Sequence, residues 1–184
     1  IKATSLDITN TANNVVLNDA NEISSFQISN APRSVELTNT ISSSISAGGI
    51  QAASIKLSTA GLTQAGVISA TSLDVTNSAS TVELTNAANS LANVEIDNTG
   101  RDITLTNSAT TNISAGGIQG DSVVLSTAGL TQAGVITATS LDVTNSAGTV
   151  VLDQSNTLAN VEDDKTGGEV ARVNSAAPNI SAGG

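Results

Sequence analysis

Polar and aliphatic residues alternate along most of this chain in short runs. Ser72-Leu73-Asp74-Val75-Thr76, Thr81-Val82-Glu83-Leu84-Thr85, Asn93-Val94-Glu95-Ile96-Asp97 and Asp102-Ile103-Thr104-Leu105-Thr106 show it most clearly. A period of two places the aliphatic pair on one face and the polar residues on the other, as in a half-buried strand. Val, Ile and Thr also fit a pleated surface. No stretch keeps i, i+3, i+4 spacing over helical length, so almost no helix is expected. Strands start at Leu73, Val82, Val94, Ile103, Ile113, Val123, Val135 and Leu141, roughly every 9 to 12 residues. An aliphatic-Thr-Asn triplet closes strands at Asn10, Asn39, Asn77, Asn86, Asn107 and Asn145. Asn tolerates left-handed backbone angles and bonds its own backbone, so these positions are predicted to be corners. Stacked Asn residues in successive coils are expected to form amide ladders. Glycines at Gly48-Gly49, Gly116-Gly117, Gly183-Gly184, Gly61, Gly66, Gly129 and Gly134 predict the remaining corners.

The pattern is written nearly three times. Ala70–Asn77 recurs as Ala138–Asn145 and, with one change, as Ala3–Asn10. Successive copies are spaced by roughly 68 residues, within the range of a stacked-repeat architecture or a small multiple of it. Leu57–Ile68 returns letter for letter as Leu125–Ile136. The chain therefore reads as one solenoid segment over residues 1–184, with repeats 3–69, 70–137 and a partial 138–184. Tandem copies imply a stack in which each unit buries its apolar side against its neighbours. An antiparallel sandwich is the competing architecture for evenly spaced strands. Three features favour a parallel β-helix: no Asn-Gly or Asp-Gly hairpin dipeptide, tandem repetition, and a small aliphatic core. Coils of about 20 to 23 residues put roughly three coils in each repeat. At about 4.8 Å per coil, the rod would be roughly 40 Å long. Aliphatic burial at about 1.5–3 kcal/mol per side chain is nearly offset by ordering at about 1–2 kcal/mol per residue. A lone coil is not expected to fold, and replacing Leu84 or Leu105 by Asp is expected to open a rung.

The third copy diverges. Asp163 stands where the second copy has Ile96, and Arg172 where it has Leu105. Capping or a bulge, sequence drift, and a charge-based binding site are the three readings of that change. Charged terminal coils are a known way to blunt an exposed sheet edge.

Composition narrows the function. Phe26 is the one aromatic residue among 184, and Cys, His, Met, Trp and Tyr are absent. The net charge of −10 disfavours nucleic acid and anionic lipid as partners. No apolar run approaches the ~20 residues of a membrane span, so no membrane insertion is expected. The first residues show no basic region followed by an apolar one, so no signal peptide is visible. Residues 1 and 184 both fall inside a repeat, so the sequence reads as an excerpt from something longer.

Chemistry is sparse. Without His or Cys there is no His-based general base, thiolate nucleophile or common zinc set. Glu95 with Asp97, and Glu162 with Asp163 and Asp164, are the carboxylate pairs that glycoside cleavage would need, yet aromatic sugar platforms are missing. Lys56 and Lys165 read as surface charges. Asp7, Asp74 and Asp142 recur at equivalent places and read as an outward, solvated series. Gly116-Gly117-Ile118-Gln119-Gly120-Asp121 approaches a calcium-repeat turn, with the wrong spacing. Thr104 and Thr106 form the best Thr-x-Thr for an ice-binding array. Asn112-Ile113-Ser114 and Asn179-Ile180-Ser181 match a short glycosylation pattern. No catalytic, cofactor-binding or metal residue is assigned, and no enzymatic activity or cofactor is expected.

Leu130–Ile136, Val82–Asn89 with Leu91 and Val94, and Asp102–Thr106 make the whole chain resemble the repetitive stalk of filamentous-haemagglutinin-type exoproteins and related giant bacterial surface adhesins. The resemblance implies a right-handed parallel β-helix, export through the outer membrane, and an extended extracellular or cell-surface fibre. It transfers no functional residue. The expected role is a structural segment serving as an adhesin stalk or filament body. A self-assembling filament or surface-layer subunit, and an ice- or carbohydrate-binding solenoid, are the alternatives. Expected partners are neighbouring repeats, copies of the chain end to end, and a host or neighbouring-cell surface reached through regions outside it.

Overall fold

The computed structural model describes residues 1–9, 12–145, 147–165, 170–174 and 177–182. Within them, the side chains of residues 30–32, 145, 163, 165, 170–173, 181 and 182 are not described. Among the described residues there is no helix. The strands form one continuous sheet, and every ladder in it is parallel. The fold is a parallel β-solenoid. Hairpins require antiparallel neighbours, and none occurs among the described residues.

Aliphatic residues line up from coil to coil in columns. One column runs Val35, Ile55, Leu73, Val94 and Ile113 and ends on Gln132. Beside it runs Leu37, Leu57, Val75, Ile96, Ile118 and Ile136. A third runs Leu62, Val82, Ile103, Val123, Leu141, Val161 and Ile180. Most of these side chains are fully excluded from solvent, as are Leu84 and Leu105. Adjacent members of a column therefore cover one another, and the core is a narrow aliphatic thread rather than a globular centre. Phe26, the lone aromatic, is fully buried between Leu6 and Ile45. The first rung is less well covered. Leu6 and Ile8 are only partly buried, whereas Leu73, Val75, Leu141 and Val143, their equivalents, are at most 1% exposed.

The columns also fix the length of a coil. Leu62 reaches Leu141 in four ladder steps, so one coil takes about 20 residues. A repeat of roughly 68 residues thus spans about 3.4 coils. Because this is not a whole number, the repeats are out of phase. Leu73 sits in the column of Ile55 and Val94, whereas Leu141 sits in the column of Val123 and Val161. Equivalent residues of neighbouring repeats face different walls.

Two kinds of corner interrupt the coils. Gly49 and Gly117 adopt positive φ of 71° and 83°, and each packs against the next coil where a Cβ would strike Val67 O or Val135 O. Gly66 and Gly134 complete the same contact from the other side, against Gly49 and Gly117. Such corners stack glycine on glycine because only a bare backbone can approach that closely.

Asparagine makes the second kind of corner, as read in the sequence: Asn39 and Asn77 end their strands, and Asn86 Oδ1 accepts the Ala88 N–H at 3.0 Å in a turn. Asn39, Asn77 and Asn107 are buried, with side chains turned into the coil. Asn107 Oδ1 accepts the Leu91 N–H at 2.9 Å, and its Nδ2 donates to Leu91 O at 2.8 Å. Asn39 does the same to Ile23, and Asn174 to Leu158. The physical reason is parity: Val35, Leu37 and Asn39 are two apart, so alternation carries the amide inward with the aliphatics. Buried backbone groups at the corner then take the amide as their partner. Amide ladders do form, Asn77 to Asn98 inside, and Asn112 to Asn93 and Asn179 to Asn160 on the outer wall. Asn10, Gly183 and Gly184 lie outside the described residues, as does the side chain of Asn145.

The divergent third copy keeps its backbone register. Asp163 pairs with Val143, and Arg172 with Leu152, the places that Ile96 and Leu105 hold in the second copy. A bulge follows between Leu152 and Asn156. Whether the Asp163 and Arg172 side chains point inward or outward lies outside the described residues.

Candidate functional site

Alternation sends the charged residues outward, and the solenoid stacks them into rows. The fullest row is Glu36, Lys56, Asp74 and Glu95, one residue per coil. Lys56 Nζ meets Asp74 Oδ2 at 2.6 Å, with 61% of its side chain exposed. That hydrogen bond, with the attraction of Asp74, Glu95 and Glu36, holds the Lys56 ammonium above the usual lysine range. The equivalent row one repeat on is Glu83, Thr104, Val124, Asp142 and Glu162. There Val124 replaces the lysine, and Asp142 and Glu162 stand side by side with no cation among these five residues. A second ion pair, Lys2 to Glu22 at 2.6 Å, lies on the first rung. It lowers the Glu22 carboxyl and raises the Lys2 ammonium, chiefly through their hydrogen bond.

The residues singled out in the sequence do not converge. Glu95 and Asp97 lie two apart on the strand Ser90–Asp97. The Glu95 carboxylate rests over Gly116, where a Cβ would collide with it. Asp97 Oδ1 accepts from Thr99 Oγ1 at 2.8 Å and caps the following turn. Glu162 and Asp164 are exposed, and the side chains of Asp163 and Lys165 lie outside the described residues. Asp7 is exposed, while Asp74 and Asp142 are half-buried. They stand on outward rows beside Gln27, Lys56 and Val124 respectively. Gly116 and Gly117 form the stacked corner, with Ile118 turned into the core, and Asp121 is exposed beyond it. Among the described residues, no three carboxylates come together in a way that could hold a metal ion. Thr104 is flanked in its row by Glu83 and Val124, so the Thr-x-Thr is not continued across coils. Asn112 Nδ2 donates to Asn93 Oδ1 at 3.0 Å, and Asn179 Nδ2 to Asn160 Oδ1 at 3.2 Å. Both amides of the glycosylation pattern are tied into the wall.

Two shallow open grooves were not anticipated. One, of about 570 Å³, is lined by Ser69, Ala70, Thr71, Ser90, Leu91 and Ala92 among others. The second, of about 600 Å³, is lined by Thr137, Ala138, Thr139, Thr157, Leu158 and Ala159 among others. They are one feature rebuilt in the next repeat, where small side chains leave the coil indented. The signal in the sequence is the Ala-Thr-Ser run that opens each repeat. Among the described residues, neither groove is lined by a charged side chain.

Among the described residues no helix is long and apolar enough to cross a membrane. Comparison with family models, with curated proteins and with solved structures finds no match for this chain.

Proposed function

We propose that the chain is a structural segment of a long secreted or cell-surface bacterial fibre, serving as the stalk of an adhesin or the body of an extracellular filament, without enzymatic activity. One observation carries this reading. The ladder Ile28, Ile50, Ile68 is rebuilt one repeat further on as Ile96, Ile118, Ile136. An architecture that regenerates its own packing surface has no built-in length, and copy number sets how far it reaches. Acidic outer rows keep such a rod soluble. The test inserts one further copy of the repeat within the array. A rod longer by about 16 Å at unchanged cross-section, measured by small-angle X-ray scattering, supports the spacer reading. A compact particle of larger cross-section sinks it.

A self-assembling subunit is the second reading. It is favoured by the columns themselves, which offer the same aliphatic place coil after coil. End-to-end contacts that do not close produce filaments. A concentration series in light scattering separates the two, since a spacer stays monodisperse and a subunit grows.

A further inference from the structure

The aliphatic columns hold the coils together, but they do not tell one coil from another. Leu62, Val82, Ile103, Val123 and Leu141 occupy the same place in five successive coils. If one coil looped out and its neighbours closed over the gap, every contact in that column would still be aliphatic on aliphatic. Such a slip hardly changes hydrophobic burial, which is non-directional. Something else must disfavour it.

The buried amides differ from coil to coil. Asn107 lies in an inward column with Thr127, and Thr59 lies beside Asn77 in the other. Asn107 holds Leu91 by both its N–H and its carbonyl. Thr127, one coil along, instead gives its hydroxyl to Gly129 O within its own coil, at 3.1 Å. Asn89 is more selective still. Its Oδ1 accepts the Ile68 N–H from one coil at 2.8 Å, and its Nδ2 donates to Thr106 O of another at 3.0 Å. Gln64 pairs with it through Gln64 Oε1 at 3.0 Å. The equivalents Asn156 and Gln132 repeat the pair, and Asn156 takes the Ile136 N–H at 2.8 Å. A slip of one coil would set Thr against a site built for Asn and leave a buried amide and a corner N–H without their partners. Unmade buried hydrogen bonds weigh far more than a change of aliphatic neighbour.

We propose that these inward amide clamps, rather than the aliphatic columns, select which coil stacks on which, so that a chain of near-identical coils reaches one register. Buried polar groups fix register in coiled coils in the same way.

The absence of native cysteine makes the test direct. Thr104→Cys with Val124→Cys joins neighbouring coils, whose backbones lie about 4.8 Å apart, within disulfide reach. Glu83→Cys with Val124→Cys spans two coils, about 9.6 Å, and closes only if the intervening coil has slipped out. Both pairs are oxidised during refolding and read as monomer bands on non-reducing gels. Two backgrounds are compared with the unaltered chain. One is Asn89→Leu with Asn107→Leu. The other, Asn107→Thr with Thr127→Asn, moves the amide by one coil without changing composition. In both, the slip-pair disulfide is expected to rise about tenfold or more over the unaltered chain, because no unsatisfied amide then opposes the slipped stack. The proposal is overturned if either background keeps its β circular dichroism and the slip pair stays at the unaltered level. Loss of the β signal in both backgrounds also overturns it, since the amides would then be needed for any stacking rather than for choosing a partner.

Discussion

At the scale of single residues, the tightest constraint is the stacked glycine corner. Gly117 has φ of 83°, and a Cβ placed on it would collide with Val135 O. Gly100 has a similar φ of 71°, but nothing lies within 4 Å of its Cβ position. The two therefore separate backbone strain from collision. Gly100→Ala is expected to cost about 1–2 kcal/mol, the left-handed penalty alone. Gly117→Ala must also push Val135 and its strand away, and about 3 kcal/mol or more is expected. Urea denaturation of the two variants measures the difference, and equal midpoint shifts would show that the corner tolerates a side chain. Glycine corners at Gly49, Gly66, Gly117 and Gly134 were legible as corners in the sequence, whereas Gly61 and Gly129, read the same way, lie within paired strands. The face-to-face packing of the corners was not legible, because Gly49 and Gly66 meet only once the coil closes. The inward asparagines were legible in principle, since Leu105 and Asn107 share the parity of the core face. The corner role read for Asn holds at Asn39 and Asn77, and parity adds the inward direction of the side chain.

At the scale of a strand and its neighbours, the outward rows differ at one informative place. Lys56 sits between Glu36 and Asp74, whereas its equivalent Val124 sits beside Asp142, which in turn faces Glu162. Like charges directly opposite across a ladder are destabilising. Val124→Lys should therefore rebuild in the second row the ion pair that Lys56 makes in the first. A gain of about 0.2–1 kcal/mol is expected, because the pair is exposed and screened by salt. Thermal denaturation at low and high salt checks it, and a gain that survives high salt would rule out the electrostatic account. The pH dependence follows from the raised Lys56 ammonium. A folded-state value above the unfolded one means that this contribution is fully present below the ordinary lysine pKa, about 10.4. It is lost as pH rises through the higher folded value. Alternation made these rows legible as outward faces. Which charges become neighbours was not legible, because the ladder offset changes from coil to coil, as between the steps Lys56 to Asp74 and Asp74 to Glu95.

At the scale of the whole rod, the phase between repeat and coil decides what each wall displays. Tandem repetition and the absence of hairpin dipeptides were enough to read a parallel solenoid of roughly three coils per repeat. The remaining fraction of a coil depends on bulges such as the register shift between Val94 and Ile96, which alternation does not encode. That fraction is measurable. Ser72 lies in a row with Asn93, Asn112 and Thr131, so Ser72 and Thr131 stand on one wall, three coils apart, at about 14 Å. Ser140, the repeat equivalent of Ser72, follows Thr131 in the chain by nearly half a coil. Nitroxides on Ser72→Cys with Ser140→Cys should be about 20 Å or more apart, combining about 16 Å of axial advance with the ~10 Å between facing sheets. Ser72→Cys with Thr131→Cys supplies the one-wall reference in the same dipolar measurement. If both pairs gave the same distance, each repeat would close a whole number of coils and every copy would face the same way. A longer Ser72–Ser140 distance means that a fibre built from such repeats presents each surface feature, the Ala70 and Ala138 grooves included, to alternating sides along its length.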